Sequence, residues 1–266
     1  MYILDKIVQY KRDEIKRNMA GKPISILEKT EYFKRTPLSL SGHLNQNKTA
    51  GIIAEYKRKS PSKSNINLAA KAEDVMPAYA ENGASAISCL TDEHFFGGHN
   101  DYLTLGRKVL EIPILRKDFI INEYQIIEAK SIGADAILLI AEVLTSKEII
   151  SFTNTAKNLG LSVLLELHHE KELDKIDMNV DVIGINNRDL RTFIVDFNHS
   201  KMMFDKLPSE IIKISESGIS DPDVVKELRG VGFRGFLIGE YFMKTDDPGR
   251  ECGRFINALR EGRKDG

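Results

Sequence analysis

Ala134-Asp135-Ala136-Ile137-Leu138-Leu139-Ile140-Ala141-Glu142, then a helix-like stretch, then Ser162-Val163-Leu164-Leu165-Glu166-Leu167-His168: twice, a short apolar run closes on a polar or charged residue. Working outward, the same unit recurs at Gly51–Tyr56, Ala84–Leu90, Pro113–Leu115, Val182–Ile185, Ile211–Ser215 and Gly235–Gly239, which makes eight runs. The residues that follow them are Lys57, Thr91 and Asp92, Lys117, Glu142, His168, Asn186 to Arg188, Glu216 to Gly218, and Glu240. Strands buried on both faces read as continuous hydrophobic runs, and eight of them joined by helices close an α/β fold of the (β/α)8 TIM-barrel type. Polar residues at the carboxyl ends of such strands line the active site.

The 266 residues fit one barrel of about 250 residues plus an N-terminal helical extension, residues 1–48, and require no second domain. With 38 basic and 39 acidic side chains there is no global field to favour nucleic acid or an anionic membrane, so any anion must be held by a local site. Cys89 and Cys252 are too few for a disulfide framework or a cysteine metal site. The amino terminus lacks the uninterrupted apolar core of a signal peptide, its acids argue against a transit sequence, and no run approaches the roughly 20 apolar residues that span a bilayer. Cytoplasmic residence is the expectation. Ile3, Leu4, Ile7, Val8 and Ile15 share one helical face; periodicity alone allows the extension either to plug the bottom of the barrel or to cover its mouth.

Helix signals fall between the runs. Thr145 and Glu148 have capping-box spacing, Asp221 precedes a first-turn Pro222, and Gly83, Gly133 and Gly160 end helical stretches just before strands. Pro77 predicts that the first barrel helix starts near Met76 or is kinked.

The strand ends bring together Lys57, Lys117, Glu55, Glu166 and the cluster Asn186-Asn187-Arg188, a set suited to proton transfer and anion binding. Strand alternation aims Glu166 opposite to Leu165 and Leu167. A carboxylate inside such a run is costly unless it is paired, hydrogen-bonded or working. Desolvation is expected to bring a strand-end lysine toward a useful acid strength; a structural ion-pair member is the lesser reading, and lesser still with Lys57 and Glu166 counted beside Lys117. Ser217 and Gly218 after run seven and Gly239 after run eight stand where barrels bind phosphate through backbone amides. His168, His169 and Glu170 are adjacent rather than one helical turn apart, so no metal is expected there. Lys57-Arg58-Lys59 reads as a solvated loop, and Phe95 and Phe96 either cap the core or meet an aromatic substrate.

At these residues a family resemblance enters. Ile52-Ile53-Ala54-Glu55-Tyr56-Lys57-Arg58-Lys59-Ser60-Pro61-Ser62 resembles the first-strand signature of indole-3-glycerol phosphate synthase. Pro113 to Ile120, Gly184 to Leu190 and Ser215 to Ile219 resemble that family's third, sixth and seventh strands, so the likeness spans nearly the whole chain. The resemblance implies closure of the indole ring in tryptophan biosynthesis: a carboxyphenylamino deoxyribulose phosphate cyclises with loss of carbon dioxide and water. It implies Lys117 as general acid, Glu166 as general base in the dehydration, and Lys57 and Arg188 as holders of anionic groups. Glu55, Asn186, Ser60 and Ser217 would orient lysines and substrate, Leu90 and Phe96 would pack on the anthranilate ring, and Gly218, Gly239 and the amide of Glu240 would hold phosphate. It implies no cofactor or metal, a small phosphorylated substrate and an extension that closes over the mouth; association with other enzymes of the tryptophan pathway is left open by the sequence.

Ser64 stands where the family usually has glycine, His99 where serine is common, and Tyr241 and Phe242 where smaller residues are common. Two other readings remain. Phosphoribosylanthranilate isomerase or the tryptophan synthase α subunit would share phosphate handling but use other catalytic residues. A non-catalytic binding barrel would keep the phosphate glycines and lose acid and base.

Overall fold

The computed structural model describes residues 3–46, 50–61, 63–189 and 192–261. Eight parallel strands pair in chain order and close: β1 Ile52–Tyr56, β2 Ala86–Leu90, β3 Ile114–Lys117, β4 Ala136–Ile140, β5 Ser162–Leu167, β6 Val182–Asn186, β7 Ile212–Glu216 and β8 Gly235–Ile238, with β8 back on β1. Helices lie between the strands, as the apolar runs predict. Three strands run further than their apolar letters: Lys117, Asn186 and Glu216 are the last residues of β3, β6 and β7 rather than the first residues beyond them. A reading based on hydrophobicity ends a strand at its first polar residue, whereas the upper barrel interior is a polar cavity that accepts one.

The two-residue period sorts every strand. Ile53, Leu115, Leu138, Leu164, Val182, Ile214 and Leu237 pack together in the barrel interior. Ile52, Ala54, Ile87, Leu139, Leu165 and Leu167 belong to the larger core between sheet and helices. Glu166 therefore shares its face with Leu164 and points inward.

The N-terminal extension reaches both ends of the barrel. The helix Leu40–Leu44, capped by the Ser39 hydroxyl on Gly42 N–H, sets Leu40 and Leu44 against the interior side chains from below. Leu40 N–H donates to Ser162 Oγ at the start of β5, at 3.1 Å. The longer helix Ile3–Gly21 goes to the mouth, where Ile3, Leu4 and Ile7 line the central cavity. Its Lys11 is fully buried, with Nζ 2.9 Å from both Asp92 and Asp118 and 2.8 Å from Glu14. Burial opposes that charge, but Asp118, Asp92 and Glu14 outweigh it and hold the lysine above its ordinary pKa. Plugging and covering are thus divided between two segments of one extension.

Local signals explain the helices. Thr145 and Glu148 form a capping box, Asp221 accepts from Asp223 N–H ahead of Pro222, and Gly83, Gly133 and Gly160 have φ of 93°, 95° and 75°. The first barrel helix runs Ala72–Glu81 with Pro77 inside it, so of the two expectations the start near Met76 does not hold. No helix among the described residues is long and apolar enough to cross a membrane.

Asp135, just below β4, is the tie between extension and barrel. Its carboxylate is fully buried and accepts from Arg35 Nη2 at 2.5 Å, Leu38 N–H at 2.7 Å, Arg107 Nη1 at 2.6 Å and Ile114 N–H at 2.8 Å. Removing one partner of a buried charge network strands the others. Asp135→Ala is expected to lower unfolding stability by about 3–5 kcal/mol in urea melts, because two guanidinium groups and two amides lose their acceptor together.

Candidate active site

Above the apolar layers the inward positions turn charged. β1 supplies Glu55, β3 Lys117, β5 Glu166, β6 Asn186 and β7 Glu216, and all five line one cavity of about 420 Å³ at the carboxyl end of the barrel. Lys117 lies at its centre, with Nζ 2.8 Å from Glu166 Oε2 and 2.7 Å from Glu216 Oε2. Asn186 donates to Glu166 Oε1 at 3.2 Å while its own Oδ1 accepts from Arg188 N–H, which fixes the amide's orientation. Lys57, just past β1, pairs with Glu55 at 2.7 Å, and Ser88 donates to the other Glu55 oxygen at 3.1 Å.

Two glycines make room for these carboxylates. A Cβ on Gly184 would lie 2.0 Å from Glu216 Oε1, and one on Gly239 would lie 2.6 Å from Glu55 Oε1. Gly239 therefore serves the acid–base cluster by its missing side chain, besides capping the short helix Glu240–Met243.

Burial and charge act against each other here. For Lys117 burial disfavours the ammonium, as the sequence predicts, but Glu166, Glu216 and Glu55 outweigh burial and hold its pKa above the ordinary value. The expected stronger acid is thus not what the site builds at rest; it builds a fully protonated lysine. Burial would raise Glu166, but Lys117 and His168 keep it well below the usual carboxylate range. Glu216, desolvated and repelled by Glu166 despite Lys117, is pushed up to about 7. Glu55 is held low because Lys57 and Lys117 overcome its burial.

The residues expected to hold substrate and phosphate line the same cavity. Leu90 and Phe96 form an apolar flank with Phe119, whose ring centre is 5.8 Å from that of Phe96, and with Ile3, Leu4 and Ile7. Ser60, Arg188, Ser217, Gly218 and Glu240 line the rest. Ser217 and Gly218 both have left-handed backbone, φ 72° and 77°, a conformation that a serine adopts only when its surroundings impose it. Asn187 imposes it: its amide is buried outside the cavity and donates to Ser215 Oγ, Glu216 O and Ser217 O. Of the Asn186-Asn187-Arg188 cluster, then, the middle residue points away and pins the end of β7. The Glu240 carboxylate is taken by Lys63, with Arg188 at 4.0 Å.

Sequence reasoning missed Glu216 and His168 as parts of this cluster. Both follow from alternation, since Glu216 is two residues beyond inward Ile214 and His168 two beyond inward Glu166. Of the departures from the family pattern, His99 caps the helix Asn100–Arg107 by accepting from Asp101 N–H, a task suited to serine. Tyr241 lines the cavity and donates to Glu251, while Phe242 is buried against Tyr79 and Phe255. Among the described residues one group, Glu142, His169 and Glu172, brings three metal-ligating side chains within 4.8 Å of one another. It stands outside the cavity lining, and Glu172 is already engaged by the amides of His168 and His169.

Comparison with known proteins gives the fold and the family. A solved structure of the tryptophan synthase alpha subunit from Legionella pneumophila superposes with a TM-score of 0.62 over 85% of this chain and 97% of that one, at 13% identity, a likeness of fold alone. The indole-3-glycerol phosphate synthase of Bacteroides thetaiotaomicron is 47% identical over 97% of this chain and 99% of its own length. That of Salinibacter ruber is 42% identical over 99% and 97%. The family model described as indole-3-glycerol phosphate synthase matches residues 4–255, and the chain belongs to that family.

Proposed function

We propose that this cavity binds 1-(2-carboxyphenylamino)-1-deoxyribulose 5-phosphate and closes its indole ring, releasing carbon dioxide, water and indole-3-glycerol phosphate. The observation that carries the reading is Lys117 held between Glu166 and Glu216 beside a second pair, Lys57 with Glu55, in a cavity with one apolar flank. The substrate has matching parts: an aromatic ring, a carbonyl to be protonated, and anionic ends.

In this reading the ring lies against Leu90, Phe96 and the N-terminal helix. The phosphate sits at Gly218, Gly239 and the amide of Glu240, where backbone can approach closely, with Lys57 and Arg188 supplying charge. Lys117 protonates the substrate carbonyl as the ring carbon attacks it, giving a hydroxylated, iminium-like ring. Carbon dioxide leaves, and its bonding electrons neutralise the iminium. Glu166 then takes the ring proton while the hydroxyl departs as water with a proton from a lysine. Glu216, titrating near neutrality at 2.7 Å from Lys117, is the nearest group able to return a proton to it. Ser60, Ser217 and Asn186 orient these groups. Residence in the cytoplasm and association with other tryptophan-pathway enzymes complete the proposal.

The test is to incubate the purified protein with the substrate and follow product fluorescence, with Lys117→Met alongside. Lys117→Met is expected to bind substrate and lose at least about a hundredfold in turnover, the scale of a lost general acid; near-normal turnover removes Lys117 from that role. Ionising Glu216 adds to the negative charge that holds the Lys117 proton, so wild-type turnover is expected to fall as pH rises through about 7. Glu216→Gln should abolish that inflection, and a profile that keeps it assigns the ionisation to another group.

A further inference from the structure

His168 belongs to no role assigned above, yet it is buried beside the base. Its side chain is 2% exposed, with Nε2 3.1 Å from Glu166 Oε1 and Nδ1 3.9 Å from Glu142 Oε2. Neither ring nitrogen makes an aligned hydrogen bond among the described residues. The backbone is nevertheless pinned on both sides: His168 N–H donates to Glu172 Oε2 at 2.7 Å, and His199 Nε2 donates to His168 O at 2.8 Å. A buried imidazole is left without aligned partners only at a cost, and here three carboxylates surround it. The facing groups are Glu166 in β5, Glu142 after β4, Glu172 in the 3-10 helix Glu170–Lys175, and the rings of His169 and His199. Lys117 is screened from it by Glu166.

The proposed mechanism leaves a gap that this position fills. Glu166 must stay a carboxylate until it takes the ring proton, yet its principal cation, Lys117, is neutral between giving its proton to the carbonyl and regaining one from Glu216. A buried carboxylate without a cation is driven toward its protonated form. We propose that His168 is a positioning residue of this reaction: the second cation on Glu166, on the oxygen Lys117 does not hold, which stays in place once Lys117 has delivered its proton. Glu142 and Glu172 serve the same end one step out, by favouring the imidazolium. Burial lowers the pKa of His168, but Glu166, Glu172 and Glu142 together raise it above the ordinary histidine value. The inference rests on the reading of Glu166 as the base.

The sign of its pH dependence follows. Below its raised pKa, His168 is charged and Glu166 has two cations; above it, the wild type has already lost the second one. His168→Asn should therefore leave KM within about twofold and lower kcat by about tenfold or more at the acid end, with the deficit shrinking as pH rises. A uniform loss at every pH, or none, would overturn the proposal, because a purely structural histidine does not make the deficit depend on pH. Should His168→Asn not fold, Glu142→Gln decides: the pH at which wild-type kcat loses the benefit of His168 should move down, and an unchanged profile overturns the idea. Ring nitrogen-15 shifts read His168 directly, without turnover. A cationic ring at pH 6.5 whose pKa falls in Glu142→Gln supports the inference even if the substrate reading fails, and a neutral ring at that pH removes it.

Discussion

One ammonium shared by two carboxylates, Lys117 between Glu166 and Glu216, is the contact on which the upper barrel depends. The cavity floor holds two lysines, Lys57 and Lys117, against three glutamates, Glu55, Glu166 and Glu216. Desolvated charges are tolerated only when compensated, so the two lysines alone cannot hold every carboxylate ionised. The deficit falls on Glu216, which has Lys117 as its one close cation and both other glutamates as repellers. Glu55 has Lys57 and the Ser88 hydroxyl, and Glu166 has Lys117 and His168. Three chemically identical side chains thereby acquire different protonation behaviour from position alone.

Packing makes the arrangement obligatory rather than incidental. Gly184 and Gly239 leave the volumes that Glu216 and Glu55 occupy, so the acid–base cluster is encoded as much by missing side chains as by charged ones. Asn187 ties the end of β7 to β6, and through it the left-handed pair Ser217 and Gly218 is held where a ligand's anionic group can approach backbone. Such strain is stored only where neighbours over-determine the conformation.

The fold was legible in the letters because a parallel barrel buries both faces of every strand, which leaves eight apolar runs that no surface alternation obscures. Site residues such as Lys57 and Lys117 stood out because a charge at the end of such a run has nowhere to go but the mouth. Glu216 was harder to see because it follows Ser215 and precedes Ser217, inside a stretch that reads as loop. His168 was passed over because the adjacent pair His168-His169 was weighed only as a metal motif, and once that was set aside the alternation from Glu166 was not followed one step further. Lys11 left no signal: it is one of several lysines on a helix, and only the tertiary position of Asp92 and Asp118 distinguishes it. The same limit kept the extension's two tasks from being separated, since periodicity reports an apolar face and not what that face meets.

The end of β3 joins cover and chemistry in consecutive residues. Alternation sends Lys117 into the cavity and Arg116 outward, where Arg116 reaches Glu128 at 2.6 Å, Asp118 at 3.3 Å and Thr91 at 3.0 Å. Asp118 in turn receives Lys11 from the N-terminal helix and Thr91 at 2.6 Å, and although burial opposes it, Lys11 and Arg116 hold its carboxyl at about 2. Releasing any one cation from this aspartate would leave a buried charge uncompensated. The helix that carries Ile3, Leu4 and Ile7 is therefore fixed to the residue that follows the proposed acid. The apolar wall and the ammonium are set by one network, and in the proposed reaction that network would keep the substrate ring and Lys117 in register, as a proton delivered in the same step as carbon–carbon bond formation requires.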